Sequence, residues 1–128
     1  LKEKPKENIS AAAEGSQDLT GLFKKIRTFN AERKWQKFHS PKNLVMALSV
    51  EAAELLEHFQ WLTEEESRSL SAAKQRQVAE EIADIFIYLL NLAGQLDIDP
   101  IAAAHAKIEL NRRKYPVEKV LGKVGFEK

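Results

Sequence analysis

Two pairs of acids set three residues apart dominate the sequence: Glu51 and Glu54 in LSVEAAELLEHFQWL (48–62), and Glu81 and Asp84 in VAEEIADIFIYLLNLAGQ (78–95). That spacing puts both members of a pair on one side of a helix, a turn apart. Carboxylates gathered away from bulk water repel one another and need a compensating cation. The chain has no cysteine and only three histidines. Oxygen ligands of this kind favour a hard ion, Mg²⁺ or else Mn²⁺.

At about 100° per residue, the first run buries Leu44, Leu48, Leu55, Phe59 and Leu62 on one helical face. Glu51 lies at the margin of that stripe, Glu54 and His58 beside it on the same flank, and Glu57 on a different, solvated side. The second run is apolar around most of its circumference. Its one polar strip holds Gln77, Glu81, Asp84, Tyr88 and Gln95, with Asn91 at the edge. Such a helix is expected to be covered on nearly every side, so the strip faces either a slot of solvent or a polar cavity. An isolated E-x-x-E is ordinarily surface decoration. Two such pairs on the flanks of core helices shift the reading towards a shared cation site. A ferritin-like di-iron centre fits less well, because it uses Glu-x-x-His and His58 stands four residues after Glu54.

Four helices are predicted to position these groups. The first follows Asp18 as N-cap, with Leu19, Leu22, Phe23, Ile26 and Phe29 at helical spacing. The second opens at Ser40-Pro41 and runs to about Trp61, and Thr63 with the acids after it gives a capping-box signal. The third spans about Ala72 to Leu96. The fourth starts at Asp99-Pro100 and stops before Pro116. No segment alternates like a strand. The expected fold is all-α, an oligomeric four-helix bundle. Residues 1–17 lack large apolar side chains and read as a flexible tail, 18–116 as the helical domain, and 117–128 as a C-terminal tail.

The 128 residues are 44% hydrophobic and 30% charged, which is ordinary globular composition. A net charge of +1 creates no field that would draw the protein to a nucleic acid polymer or a membrane. The longest apolar stretch, IFIYLLNLAG, is too short to span a bilayer. The expected setting is cytoplasmic. The apolar girth of the second and third helices exceeds what one small bundle covers, which points to a homo-oligomer burying helix faces between subunits.

The pattern Glu51-Ala-Ala-Glu54 … Glu81-Ile-Ala-Asp84 resembles the E-x-x-E … E-x-x-D signature of the all-α nucleoside triphosphate pyrophosphohydrolases, the MazG-like superfamily. ERKWQKFHSPKNLVMALSVEAAELLEHFQW, EEIADIFIYLLNLA and KIELNRRKYP are similar to its dCTP pyrophosphatase branch, over about Leu22 to Pro116. The resemblance implies cleavage of a (d)NTP such as dCTP to a (d)NMP and pyrophosphate, in housecleaning of the nucleotide pool. It also implies a homodimer or homotetramer with sites at subunit contacts. Glu51, Glu54, Glu81 and Asp84 would hold Mg²⁺, with Glu54 the candidate general base.

Lys107, Asn111 and Tyr115 stand at i, i+4 and i+8 on the fourth helix, with Arg112 adjoining. Cations at a helix C-terminus complement its dipole; in the family reading Lys107, Asn111 and Arg112 bind phosphate oxygens beside Tyr115. Trp35 and Trp61 flank the second helix and are either packing residues or, as the resemblance favours, stacking partners for a base. His39 is a candidate contact to base or phosphate, Tyr88 a candidate cap of the pocket, and Asn43 a further pocket candidate. Some eukaryotic members of the branch carry His nine residues before the Trp matching Trp35. Ile26 stands there in this chain, which leaves deoxynucleotides other than dCTP open. The competing class is a non-catalytic helical module that binds a nucleotide or a partner. Its mark would be a broken acidic quartet, and all four acids are present.

Overall fold

The computed structural model describes residues 18–123. The tail expected over 1–17 and the last residues, 124–128, lie outside that range. Among the described residues there is no strand, and the long helices are α1 (Leu19–Glu32), α2 (Pro41–Glu57), α4 (Ala72–Gln95) and α5 (Pro100–Lys114). Two short helices, α3 (Glu64–Ser67) and α6 (Val117–Val120), and a 3-10 turn at Gln36–Phe38 complete the chain. The fold is all-α, as the periodicity predicts. Val117–Val120 is helical within the stretch, 117–128, expected to be a C-terminal tail. No single helix among the described residues is long and apolar enough to cross a membrane.

The caps explain where the helices begin. The side chains of Asp18, Ser40 and Ser71 accept backbone N–H groups at the starts of α1, α2 and α4, and Asp99 does so twice for α5. Thr63 and Glu66 close a reciprocal capping box around α3. The second helix ends four residues earlier than the sequence suggests, at Glu57 rather than about Trp61. The chain tightens there into i→i−3 bonds: the amides of His58, Phe59 and Leu62 donate to the carbonyls of Leu55, Leu56 and Phe59. The apolar rhythm runs on through a turn, which periodicity alone does not distinguish from helix.

The chain divides into two compact units, Leu1–Leu96 and Asp97–Lys128. In the first, α2 and α4 pack extensively against each other and α1 leans on α4. Its buried apolar residues are Ile26, Leu44, Val78, Leu90 and Ala93, with Leu44 and Leu90 each only 1% exposed. The expectation that the acid-bearing helix α4 is covered on nearly every side fails within one chain. Ile82 is 53% exposed, and Phe86 and Leu89 also face outward. Residues of this one chain bury a single stripe of α4, whereas its sequence is apolar over most of its girth.

Candidate metal centre and adjoining cavity

Packing α2 against α4 brings the two acidic pairs face to face. Ligand oxygens of Glu51, Glu81 and Asp84 all lie within 4.8 Å of one another. Glu54 stands beside this triplet, its carboxyl close enough to those of Glu51 and Glu81 to bias both towards the protonated form. One oxygen each of Glu51 and Glu81, Oε2 in both, is fully enclosed and meets no hydrogen-bond donor. The salt bridges of the described residues involve none of the four acids.

Burial, the largest effect, pushes the Glu51 carboxyl up to about 7; hydrogen-bonding contact with the Glu54 and Glu81 carboxyls and the charges of Glu54 and Asp84 add to it. Glu81 is raised in the same direction, again by burial first and then by Glu54. Enclosed carboxylate oxygens that lack both donor and counter-charge leave a large electrostatic deficit, which a hard cation with oxygen ligands would remove. The donor set fits Mg²⁺ or Mn²⁺ and offers no thiolate or imidazole to a softer ion.

A cavity of about 520 Å³ adjoins the centre and shares Asp84 with it. Tyr88 and Asn91 continue its wall along α4, Phe29 and Asn30 face them from α1, and Trp35 and His39 enter from the loop between α1 and α2. That loop has a defined origin. α1 closes in a Schellman motif, in which the Lys34 amide donates to Ala31 O (3.1 Å) and the Trp35 amide to Asn30 O (3.0 Å). Lys34 occupies the left-handed position at φ 54°, which glycine ordinarily fills. The reversal seats the Trp35 ring edge-on to Phe29, with centroids 5.7 Å apart.

The predicted site residues thus fall into groups. Glu51, Glu81 and Asp84 form the centre with Glu54 at its side; Trp35, His39 and Tyr88 line the cavity. Asn43 is outside the lining of this cavity, and its amide donates to Phe38 O (3.0 Å), holding the loop against the start of α2. Trp61 is 86% exposed and also lies outside the cavity walls. Lys107, Asn111, Arg112 and Tyr115 belong to the second unit, where the Tyr115 amide caps α5 on Asn111 O and Arg112 pairs with Glu109 at 3.4 Å. His58 receives Lys74 Nζ at 3.1 Å from Nδ1, a packing role.

The residue missed in the sequence is Asn30. It is 7% exposed, lines the cavity, and donates from Nδ2 to Asn91 Oδ1 at 2.9 Å. Its signal was present: Leu22, Ile26 and Asn30 fall at i, i+4 and i+8, so a polar residue interrupts the buried stripe of the first helix. Ile26 is itself part of the cavity wall.

Fold and centre together define an all-α protein with a cluster of carboxylates between two packed helices. The model of the MazG-like family matches residues 46–123, and the chain belongs to that family. It is 44% identical to dCTP pyrophosphatase 1 of Bos taurus over 91 residues, covering 70% of this chain and 54% of that protein. Against dCTP pyrophosphatase 1 of Homo sapiens it is 42% identical over 90 residues, covering 69% and 53%. The chain therefore spans about half the length of the curated relatives it matches. A solved structure, a pyrophosphatase from Archaeoglobus fulgidus DSM 4304, superposes with a TM-score of 0.73 at 44% identity, covering 77% of this chain and 92% of that one.

Proposed function

We propose that this chain is a divalent-metal-dependent nucleotide pyrophosphohydrolase, which cleaves a (d)NTP between the α and β phosphates to a (d)NMP and pyrophosphate. The observation that carries the reading is the pair of enclosed, donorless oxygens on Glu51 and Glu81 beside Asp84. Membership of the MazG-like family and the similarity to proteins named dCTP pyrophosphatase support it.

Glu51, Glu81 and Asp84 hold the cation in this reading, with Glu54 as a further ligand. Bound there, Mg²⁺ offsets the charge of the triphosphate and polarises its α-phosphorus. Glu54, outside the tight triplet, accepts the proton of the attacking water. The cavity beyond Asp84 takes the base, with Trp35 as stacking partner and Tyr88 and His39 at its walls. Lys107, Asn111 and Arg112 are assigned to phosphate and Tyr115 to their support, from the motif they match. The substrate is a deoxynucleotide of the dCTP type, and the enzyme works as a homodimer or homotetramer. Exposed Ile82, Phe86 and Leu89 on the ligand-bearing helix support the assembly.

The test is product analysis over a panel of dNTPs and NTPs with Mg²⁺ and with EDTA. Metal-dependent release of monophosphate and pyrophosphate is expected; release of orthophosphate, or no turnover across the panel, rejects the reading.

A further inference from the structure

Asn30 and Asn91 form a polar pair in a cavity wall that is otherwise largely apolar and aromatic. A primary amide has two donors and two acceptor lone pairs, so the single Asn30–Asn91 bond leaves both groups under-used. Among the described residues, neither the Asn30 Oδ1 nor the Asn91 Nδ2 has a protein partner. Asn30 is 7% exposed and Asn91 is half-buried, so the pair stands at the cavity wall with its unused donor and acceptor open to a ligand.

Position adds the second argument. Asp84, Tyr88 and Asn91 stand at i, i+4 and i+7 on one side of α4, and seven residues of helix advance roughly 10 Å. A ligand with its phosphate end at Asp84 would cross Tyr88 and reach the amide pair one sugar and one ring away. What meets the pair there is the far edge of a heterocycle. On such an edge a donor and an acceptor sit side by side, the pattern shared by the amino–imine edge of cytosine or adenine and the lactam edge of thymine or uracil.

We infer that the Asn30–Asn91 amide pair binds the hydrogen-bonding edge of the substrate's nucleobase and so requires a ring that presents a donor and an acceptor side by side. This rests on the nucleotide reading of the site. With Nδ2 of Asn30 given to Oδ1 of Asn91, the pair presents an acceptor on Asn30 and a donor on Asn91. Turning both amides over preserves the mutual bond and reverses that order. The pair therefore discriminates bases with a paired edge from bases without one, and does not by itself separate amino from keto bases.

The experiment compares hydrolysis of dCTP and dTTP with that of a triphosphate carrying difluorotoluene, a shape mimic of thymine with a much weaker hydrogen-bonding edge. Wild-type kcat/KM is expected to favour the natural pyrimidines by about 10–100-fold, the scale of two neutral hydrogen bonds. Asn91→Leu lowers the natural substrates to the level of the mimic and leaves the mimic unchanged. Equal loss on all three, or no loss, overturns the inference while leaving the hydrolase reading intact. Should Asn91→Leu fail to fold, Asn91→Ser is expected to show the same selective loss. In parallel, the side-chain NH₂ resonances of Asn30 and Asn91 are followed by NMR as deoxycytidine or the difluorotoluene nucleoside is added. Shifts with deoxycytidine only, in a protein that hydrolyses no triphosphate, keep the inference and reject the hydrolase reading; equal shifts with both nucleosides reject the inference.

Discussion

Glu51 on α2 and Glu81 on α4 each turn an enclosed oxygen towards a space where no donor meets it, with an Asp84 oxygen inside the same 4.8 Å cluster. The arrangement opposes folding in the absence of a cation. Glu51→Gln removes one of the mutually repelling charges and supplies an amide donor to the enclosed neighbour. The metal-free variant is expected to melt a few degrees above the metal-free parent. On the proposed function its pyrophosphate release is expected to fall by on the order of 100-fold or more, since a proposed cation ligand has gone. Melting in EDTA and a turnover assay with Mg²⁺ give the two readouts, and a lower melting temperature would argue that the acids stabilise the fold by themselves.

The raised Glu51 carboxyl fixes a pH dependence. Its folded value of about 7 lies above the ordinary 4.5, so the folded state holds a proton that the unfolded state has released. The resulting stability is fully present below about pH 4.5 and is lost as pH rises through about 7. The metal-free protein should therefore melt at lower temperature at pH 8 than at pH 5.5. Glu51→Gln should flatten that slope. Cation binding requires the deprotonated form, so apparent affinity for Mg²⁺ should climb through the same interval. A melting series in EDTA, with a parallel Mg²⁺ titration, checks both signs.

Divalent cation should also raise the melting temperature in proportion to its logarithmic excess over Kd. At a hundredfold excess, mass action contributes about 2.7 kcal/mol. Glu81→Gln and Asp84→Asn should each abolish most of that increment. A shift that survives both substitutions would place the cation elsewhere.

Lys34 sits at the left-handed position of the Schellman closure with φ 54°. Lys34→Gly relieves the contact of its Cβ with the backbone and should stabilise the protein by about 0.5–1 kcal/mol. Denaturant unfolding monitored by far-UV circular dichroism gives the value, and unchanged near-UV signal from the tryptophans would show that the seat of Trp35 is kept.

The core of the first unit is small, and Leu44 lies at its centre with 1% exposure. Leu44→Ala should destabilise by about 2–5 kcal/mol, measured by urea unfolding. A loss under 1 kcal/mol would mean that the packing of α2 on α4 relies on other contacts.

Much of this was legible in the sequence because it follows local rules. Asp18, Ser40, Thr63 and Asp99 cap as their side chains dictate, and the i, i+3 acids share a flank because helical geometry allows nothing else. What was not legible depends on tertiary contact. The proximity of the Glu51 and Glu81 oxygens needs the packing of α2 on α4, which no single-helix periodicity contains. The bond between Asn30 and Asn91 joins residues 61 positions apart. Trp61, expected from the resemblance as a stacking partner, and Asn43, a pocket candidate, lie outside the lining of the cavity beside Asp84, where the turn after Glu57 and the bond to Phe38 O place them.

Asn30 contributes twice to the cavity by separable parts of its structure. Its main-chain carbonyl receives the Trp35 amide, and its side chain meets Asn91. The first contribution is indifferent to residue type, so the position can exchange its side chain while the aromatic wall stays anchored. The inferred contact with a base edge can then change by single substitutions at Asn30 or Asn91 without disturbing the acidic cluster between α2 and α4. The region is modular in an evolutionary sense: the acids are held by one helix pair, and the amide pair is open to change at the next face along.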